Sequence, residues 1–147
     1  MDVPLSTTPS RIVADPSAIV AYLRNETGAD VVAHQFVLGG IWMHEVNVAE
    51  LCFTLPRKMP DVFTPESVLE WLVKAGIETK AGFDREWGMR VTAIRRAAPA
   101  LNIGDGVAVA LAGDMKLPLL TAEHAFEDAS GYAKMLFIRP RPRKRKP

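Results

Sequence analysis

Apolar and polar positions fall into short blocks that switch between strand-like and helix-like spacing. Ile12-Val13-Ala14 is a run of three apolar residues, the pattern of a short buried strand. Asp15 stands where a helix begins and Pro16 at its first position, so an apolar-rich helix is predicted through Leu23. After the polar break Asn25 to Gly28, a second helix is predicted over Ala29 to Leu38, stopped by Gly39-Gly40. Ile41-Trp42-Met43 reads as a strand. His44 and Glu45 then open a helix over Val46 to Leu55, which Pro56 is expected to end, leaving Arg57 to Phe63 as a loop.

The second half repeats the alternation. Thr64-Pro65-Glu66 combines a cap, a proline at the first helical position and an early acid. Val68, Leu69, Leu72 and Val73 form the stripe of that helix, and Gly76 closes it. Ile77-Glu78-Thr79 is a third strand. Phe83, Trp87, Val91, Ile94 and Ala98 recur at the spacing of an amphipathic helix. Leu101 to Gly104 reads as a turn, and Val107 to Ala112, apolar on every side, as a buried helix begun near Asp105. Leu117 to Thr121 and Met135 to Ile138 complete the strands. Strands alternating with helices predict an α/β sandwich around a mainly parallel sheet, in one domain without internal repeats.

Composition adds little to the fold but narrows the class. With 48% hydrophobic and 24% charged residues in 147, the chain is globular rather than disordered. Cys52 is the sole cysteine, which excludes an internal disulfide and makes a reducing, cytoplasmic location the expectation. No secretory signal and no membrane-length apolar run is seen. Residues 1–10 read as a leader and 11–139 as the folded domain. The last nine residues, Arg139 to Pro147, hold six of the 18 Lys and Arg and no acid. The remainder has 12 cations against 17 acids, a balance of −5, so an acidic body carries a basic tail over 140–147, expected to be disordered.

Chemistry is expected from the acids. Asp15 follows the first strand, Asp105 precedes the buried helix, and Glu123 follows the strand ending at Thr121. Each, read alone, is accounted for as a helix cap or a first-turn acid. Glu50 lies inside a helix with Val46, Asn47, Phe53 and Thr54 on its face, where a solvated rim residue and a ligand fit equally well. Taken together they differ from four separate caps. In a parallel sheet the strand ends gather on one edge, and carboxylates crowded there repel unless a divalent cation neutralises them. Oxygen-only ligands point to Mg²⁺ or Mn²⁺ rather than Zn²⁺.

Four blocks, in this order and spacing, resemble the PIN-domain family, with VapC-type toxins of bacterial toxin–antitoxin pairs the closest subgroup. They are Val13 to Leu23, Val46 to Leu51, Leu101 to Asp105 and Leu119 to Phe126, and the likeness spans roughly residues 11 to 139. The resemblance implies a three-layer α/β/α fold and a Mg²⁺- or Mn²⁺-dependent endoribonuclease. It places the family's acids on Asp15, Glu50, Asp105 and Glu123, with Ser17 and Asn47 as supporting polar residues. By analogy, Asp15, Glu50 and Asp105 hold metal and orient water, while Glu123 and Ser17 support the site or a second ion. A homodimer, an RNA substrate and a small inhibitory antitoxin are the implied partners. Three positions depart from the family pattern: Pro16, Glu123 in place of the commoner Asp, and Gly106 where many members carry Arg.

Other features are assigned to structure. Arg85, Arg90, Arg95 and Arg96 read as a solvated helix face, and Trp71 and Trp87 as core or contact residues. His34, His44 and His124 share no ligand spacing; only His124 lies near the proposed site. A PIN-like RNA- or protein-binding module with impaired catalysis, suggested by Glu123 and Gly106, is the alternative to an active nuclease. A phosphoryl-acceptor domain is disfavoured, because Asp15 has no acidic neighbour.

Overall fold

The computed structural model describes residues 9–143. Most of the expected leader (1–8) and the last residues of the basic tail (144–147) therefore lie outside the described residues, while 140–143 form no helix or strand. In order, the elements are β1 (Ile12–Ala14), α1 (Pro16–Leu23), α2 (Ala29–Leu38), β2 (Ile41–His44), α3 (Glu45–Lys58) and α4 (Pro65–Lys74). Then come β3 (Glu78–Lys80), α5 (Arg85–Ala97), α6 (Ile103–Met115), β4 (Leu119–Thr121), a 3₁₀ helix (His124–Ala129) and β5 (Met135–Phe137). The strands form one five-stranded sheet in the order β3-β2-β1-β4-β5. Every pairing is parallel, with Val13 opposite Trp42 on one side and Leu119 on the other.

Alternation along β1 divides the core. Ile12 and Ala14 face a cluster built with Ile19, Val32, Leu51 and Val68, from α1 to α4. Val13 faces the opposite cluster, with Val91, Ile94, Val107 and Leu111 of α5 and α6. A sheet covered on both faces is the expected three-layer α/β/α architecture, and it explains why β1 is apolar on every residue. The chain runs outward from β1 to β2 and β3, and β4 and β5 lie on the other flank. The strand order thus changes direction between β1 and β4, and open sheets of this kind place ligands outside the carboxyl ends at that point.

Several boundaries correct the sequence expectations. Pro56 does not end α3, which runs on to Lys58. Proline lacks only its own N–H and sits in the last turn; Met59 N–H still donates to the Leu55 carbonyl at 2.7 Å, while Arg57 and Lys58 complement the carbonyl end of the helix. Helix α6 begins two residues before Asp105, so Asp105 is not its cap. Asn102 is, and Asp105 is the third residue of a reciprocal capping box. Phe83 lies ahead of α5, because Asp84 caps that helix by accepting from the Trp87 N–H. Pro118 precedes β4 rather than sitting in it, and β3 is shifted one residue, with Ile77 buried just before it.

Candidate active site

Asp15 ends β1 and caps α1, and it is almost fully buried. Its Oδ2 accepts three bonds: from Ser17 N–H at 3.2 Å, Ser17 Oγ at 2.5 Å and Thr121 Oγ1 at 3.1 Å. Ser17 Oγ in turn accepts from Ala122 N–H at 3.0 Å, and Thr121 Oγ1 accepts from Glu123 N–H at 3.1 Å. The ends of β1 and β4 are therefore laced together by two hydroxyls at the point where strand order reverses. Thr121 was not singled out from sequence. The available signal was a hydroxyl residue closing an otherwise apolar strand, two residues ahead of Glu123.

Glu50 is positioned from α3 and Asp105 from α6. Asn47, buried one turn before Glu50, donates from Nδ2 to Glu50 Oε1 at 2.7 Å and to the Gly104 carbonyl at 2.9 Å. It thereby ties α3 to the first turn of α6. The absence of a side chain at Gly104 leaves the Glu50 carboxylate its place, since a Cβ there would push that carboxylate aside. Asp105 Oδ2 accepts from the Asn102 N–H at 3.0 Å. Glu123 is exposed at the start of the 3₁₀ helix, with no side-chain capping bond.

The electrostatics place these acids in one region. Burial pushes Asp15 up to about 7, opposed by the Ser17 and Thr121 hydrogen bonds and assisted by the charge of Asp105. Burial also raises Glu50, against its bond from Asn47, and Asp105 adds to the rise. Asp105 is raised by burial and by Glu123, with the Asn102 N–H and the Arg95 cation opposing. Asp105 thus acts on Asp15 and Glu50 and is itself acted on by Glu123. Arg95, on the exposed face of α5, also donates from Nε to the Leu101 carbonyl at 3.0 Å beside that turn.

The donor set consists of carboxylate and amide oxygens, the preference of a hard divalent cation. Among the described residues, no three His, Cys, Asp or Glu side chains stand close enough to form a ready-made metal cluster. The chemistry of the donors nonetheless suits one. Asp15, Glu50 and Asp105 each have one oxygen held by a neighbouring donor, and among the described residues the other accepts no hydrogen bond. The buried side-chain atoms without a hydrogen-bond partner among the described residues are Gln35 Oε1 and Asn47 Oδ1. Asn47 Oδ1 adds an unpaired oxygen beside Glu50.

The remaining histidines and tryptophans have structural partners. His44 Nδ1 accepts from Val46 N–H at the head of α3, and its Nε2 lies 2.7 Å from the Gly82 carbonyl. His124 stacks on Phe137 and places Nε2 2.8 Å from the Arg139 carbonyl, away from a catalytic role. Trp71 packs edge-on to Phe36 and Phe63, and Trp87 against His44.

No curated protein matches the chain. The crystal structure of FitAcB from Neisseria gonorrhoeae is similar in fold, with a TM-score of 0.60 at 20% identity over 86% of this chain and 97% of that one. The sequence profile of the PIN domain matches residues 12–132, from β1 through the 3₁₀ helix and so across all four acids. The chain belongs to the PIN-domain family.

Proposed function

We propose that this protein is a Mg²⁺- or Mn²⁺-dependent endoribonuclease, a VapC-type toxin held in check by a small antitoxin. The observation that carries the reading is the charge of Asp105 acting on both Asp15 and Glu50 at the carboxyl edge of a parallel sheet, in a chain whose family consists generally of metal-dependent nucleases. Asp15, Glu50 and Asp105 are the residues that would hold the ion, with Glu123 beside them. When bound, a divalent cation supplies polarisation of a phosphoryl oxygen and a water acidic enough to attack it.

The chain's own groups do the positioning. Ser17 and Thr121 fix the rotamer of Asp15 through Oδ2, leaving its second oxygen without a hydrogen bond among the described residues. Asn47 does the same for Glu50, and the capping box for Asp105. Such fixed carboxylates need little reorganisation when charge develops on the phosphate. RNA as substrate, a homodimer, an antitoxin partner and a cytoplasmic site of action belong to the same proposal. Among the described residues no helix is long and apolar enough to cross a membrane.

The test is cleavage of a structured RNA pool by purified, antitoxin-free protein, with Mg²⁺ or Mn²⁺ and with EDTA. Metal-dependent cleavage that Asp15→Ala abolishes supports the reading; intact RNA in every metal condition overturns it. The second reading, a binding module with impaired catalysis, is favoured by one observation, the absence of a preformed three-ligand cluster among the described residues. It predicts RNA or protein binding without cleavage.

A further inference from the structure

Helix α3 carries more than Glu50 on the face that meets the site. Phe53, Thr54, Arg57 and Lys58 follow it at three, four, seven and eight residues, which is one continuous stripe spanning about two turns or ~11 Å. Two cavities lie along that stripe. One, of about 410 Å³, is lined by Phe53, Thr54, Arg57 and Lys58. The other, of about 330 Å³, shares Thr54 and Lys58 and continues past Arg139 to Ser17 and Glu123. Together they make a groove leading from an exposed aromatic ring to Ser17, one of the two residues that hold Asp15. Each is far larger than the ~30 Å³ of a water molecule, so the groove admits a segment of polymer rather than a lone ion.

Phe53 is 64% exposed although it belongs to a helix with a well-buried opposite face. The Arg57 guanidinium lies over its ring, 5.0 Å from the centroid. Lys58 makes no ion pair among the described residues, and Arg139 has only a long 3.5 Å contact to Glu26, an acid it shares with Arg24. Cations at a helix carboxyl end are accounted for by the helix dipole. That explanation covers neither the bare aromatic ring nor the groove joining it to Ser17. A largely exposed ring with a guanidinium over one face, beside cations whose charge is mostly uncompensated, is the combination that takes an unpaired base on the other face together with its phosphate.

We propose that single-stranded RNA lies along this face of α3, with a base stacked on Phe53 and a backbone phosphate held between Lys58 and Arg139, entering the carboxylate site past Glu123. This rests on the nuclease reading and names the part of the substrate that reading left open, an unpaired nucleotide flanking the cleaved bond. Duplex RNA, whose bases are already stacked, gains nothing from Phe53.

The experiment uses the full chain and a fluorescein-labelled single-stranded RNA of mixed sequence, about 12 nucleotides long, with its duplex as comparison. Binding is read by fluorescence anisotropy in EDTA across a salt series, and cleavage is read separately in Mn²⁺. Phe53→Ala is expected to weaken single-strand binding about 5- to 10-fold while leaving duplex binding unchanged. Lys58→Ala weakens both and lowers the salt slope by about one. Arg96→Ala, on the exposed face of α5, serves as the control and matches wild type. Thermal unfolding verifies that these surface variants fold. Wild-type cleavage and binding with Phe53→Ala and Lys58→Ala indistinguishable from it overturn the groove and leave the nuclease reading standing. Groove-dependent binding without metal-dependent cleavage supports the groove and overturns the nuclease. A change in oligomeric state on Phe53→Ala, with RNA binding intact, assigns the ring to a contact between copies and overturns the proposal.

Discussion

Thr121 offers the sharpest test at the residue scale. Its hydroxyl donates to Asp15 and receives the Glu123 N–H, so Thr121→Val removes a donor from a buried carboxylate while keeping the side-chain volume. Stability is expected to fall by about 1–2 kcal/mol and cleavage by at least about tenfold, with Thr121→Ser restoring both. Chemical denaturation and initial rates check the pair of effects. Gly104→Ala is expected to displace the Glu50 carboxylate and abolish cleavage, with a smaller effect on RNA binding; full activity in this variant would contradict the assigned contact. The pH dependence has a defined sign. The folded protein retains the Asp15 proton up to about 7, whereas the ordinary value is 3.8. The resulting stability is complete below the ordinary value and is lost as pH rises through about 7. Glu50 and Asp105, also raised, act in the same direction. Urea midpoints of the protein in EDTA should therefore be lower near pH 8 than near pH 5. The positions of Asp15, Asp105 and Glu123 were legible because helix starts and strand ends carry local signals, whereas Glu50, inside α3, has no such signal. The partners were not legible: Thr121 meets Asp15 across 106 positions, and no local pattern encodes that pairing.

At the scale of elements, α6 depends on its cap. Asn102 Oδ1 accepts the Asp105 N–H at 2.8 Å while Asp105 accepts the Asn102 N–H, so the same box starts the helix and orients a site carboxylate. Asn102→Ala is expected to cost about 1 kcal/mol and to reduce cleavage, with Asn102→Ser recovering most of both. Thermal melts and cleavage rates measure it. Sequence patterning placed the apolar part of this helix correctly but began it too late, because Ile103 and Gly104 look like a turn when their tertiary partner is unseen. Gly104 is there for Glu50, 54 positions away. Pro56 misled in the opposite sense: proline was taken to stop α3, yet the helix continued through the turn that holds Arg57 and Lys58. Phe83 fitted the stripe of α5 by spacing, but Asp84 claimed the cap and left the ring outside.

For the whole molecule, the all-parallel sheet decides where chemistry can occur. Its strands are three or four residues long, so the order β3-β2-β1-β4-β5 is maintained by the two helical layers as much as by the ladder. A ligand that joins α1, α3 and α6 through their acids should stabilise the entire fold rather than one segment. Mn²⁺ is therefore expected to raise the melting temperature, the increment vanishing in Asp105→Asn. A thermal-shift titration decides it, and an unchanged melting temperature at saturating Mn²⁺ would count against these residues as ligands. The architecture was readable from alternating blocks. The degree of closure among the acids was not, since it depends on side-chain rotamers.

The hydroxyl lacing between β1 and β4 has a consequence for synthesis. Asp15 is translated early together with Ser17, but the other residue that fixes its carboxylate is Thr121. A polypeptide still emerging from the ribosome has the acid with half of its clasp for most of elongation. On the proposed nuclease reading, the site is completed only after the fourth strand has left the exit tunnel.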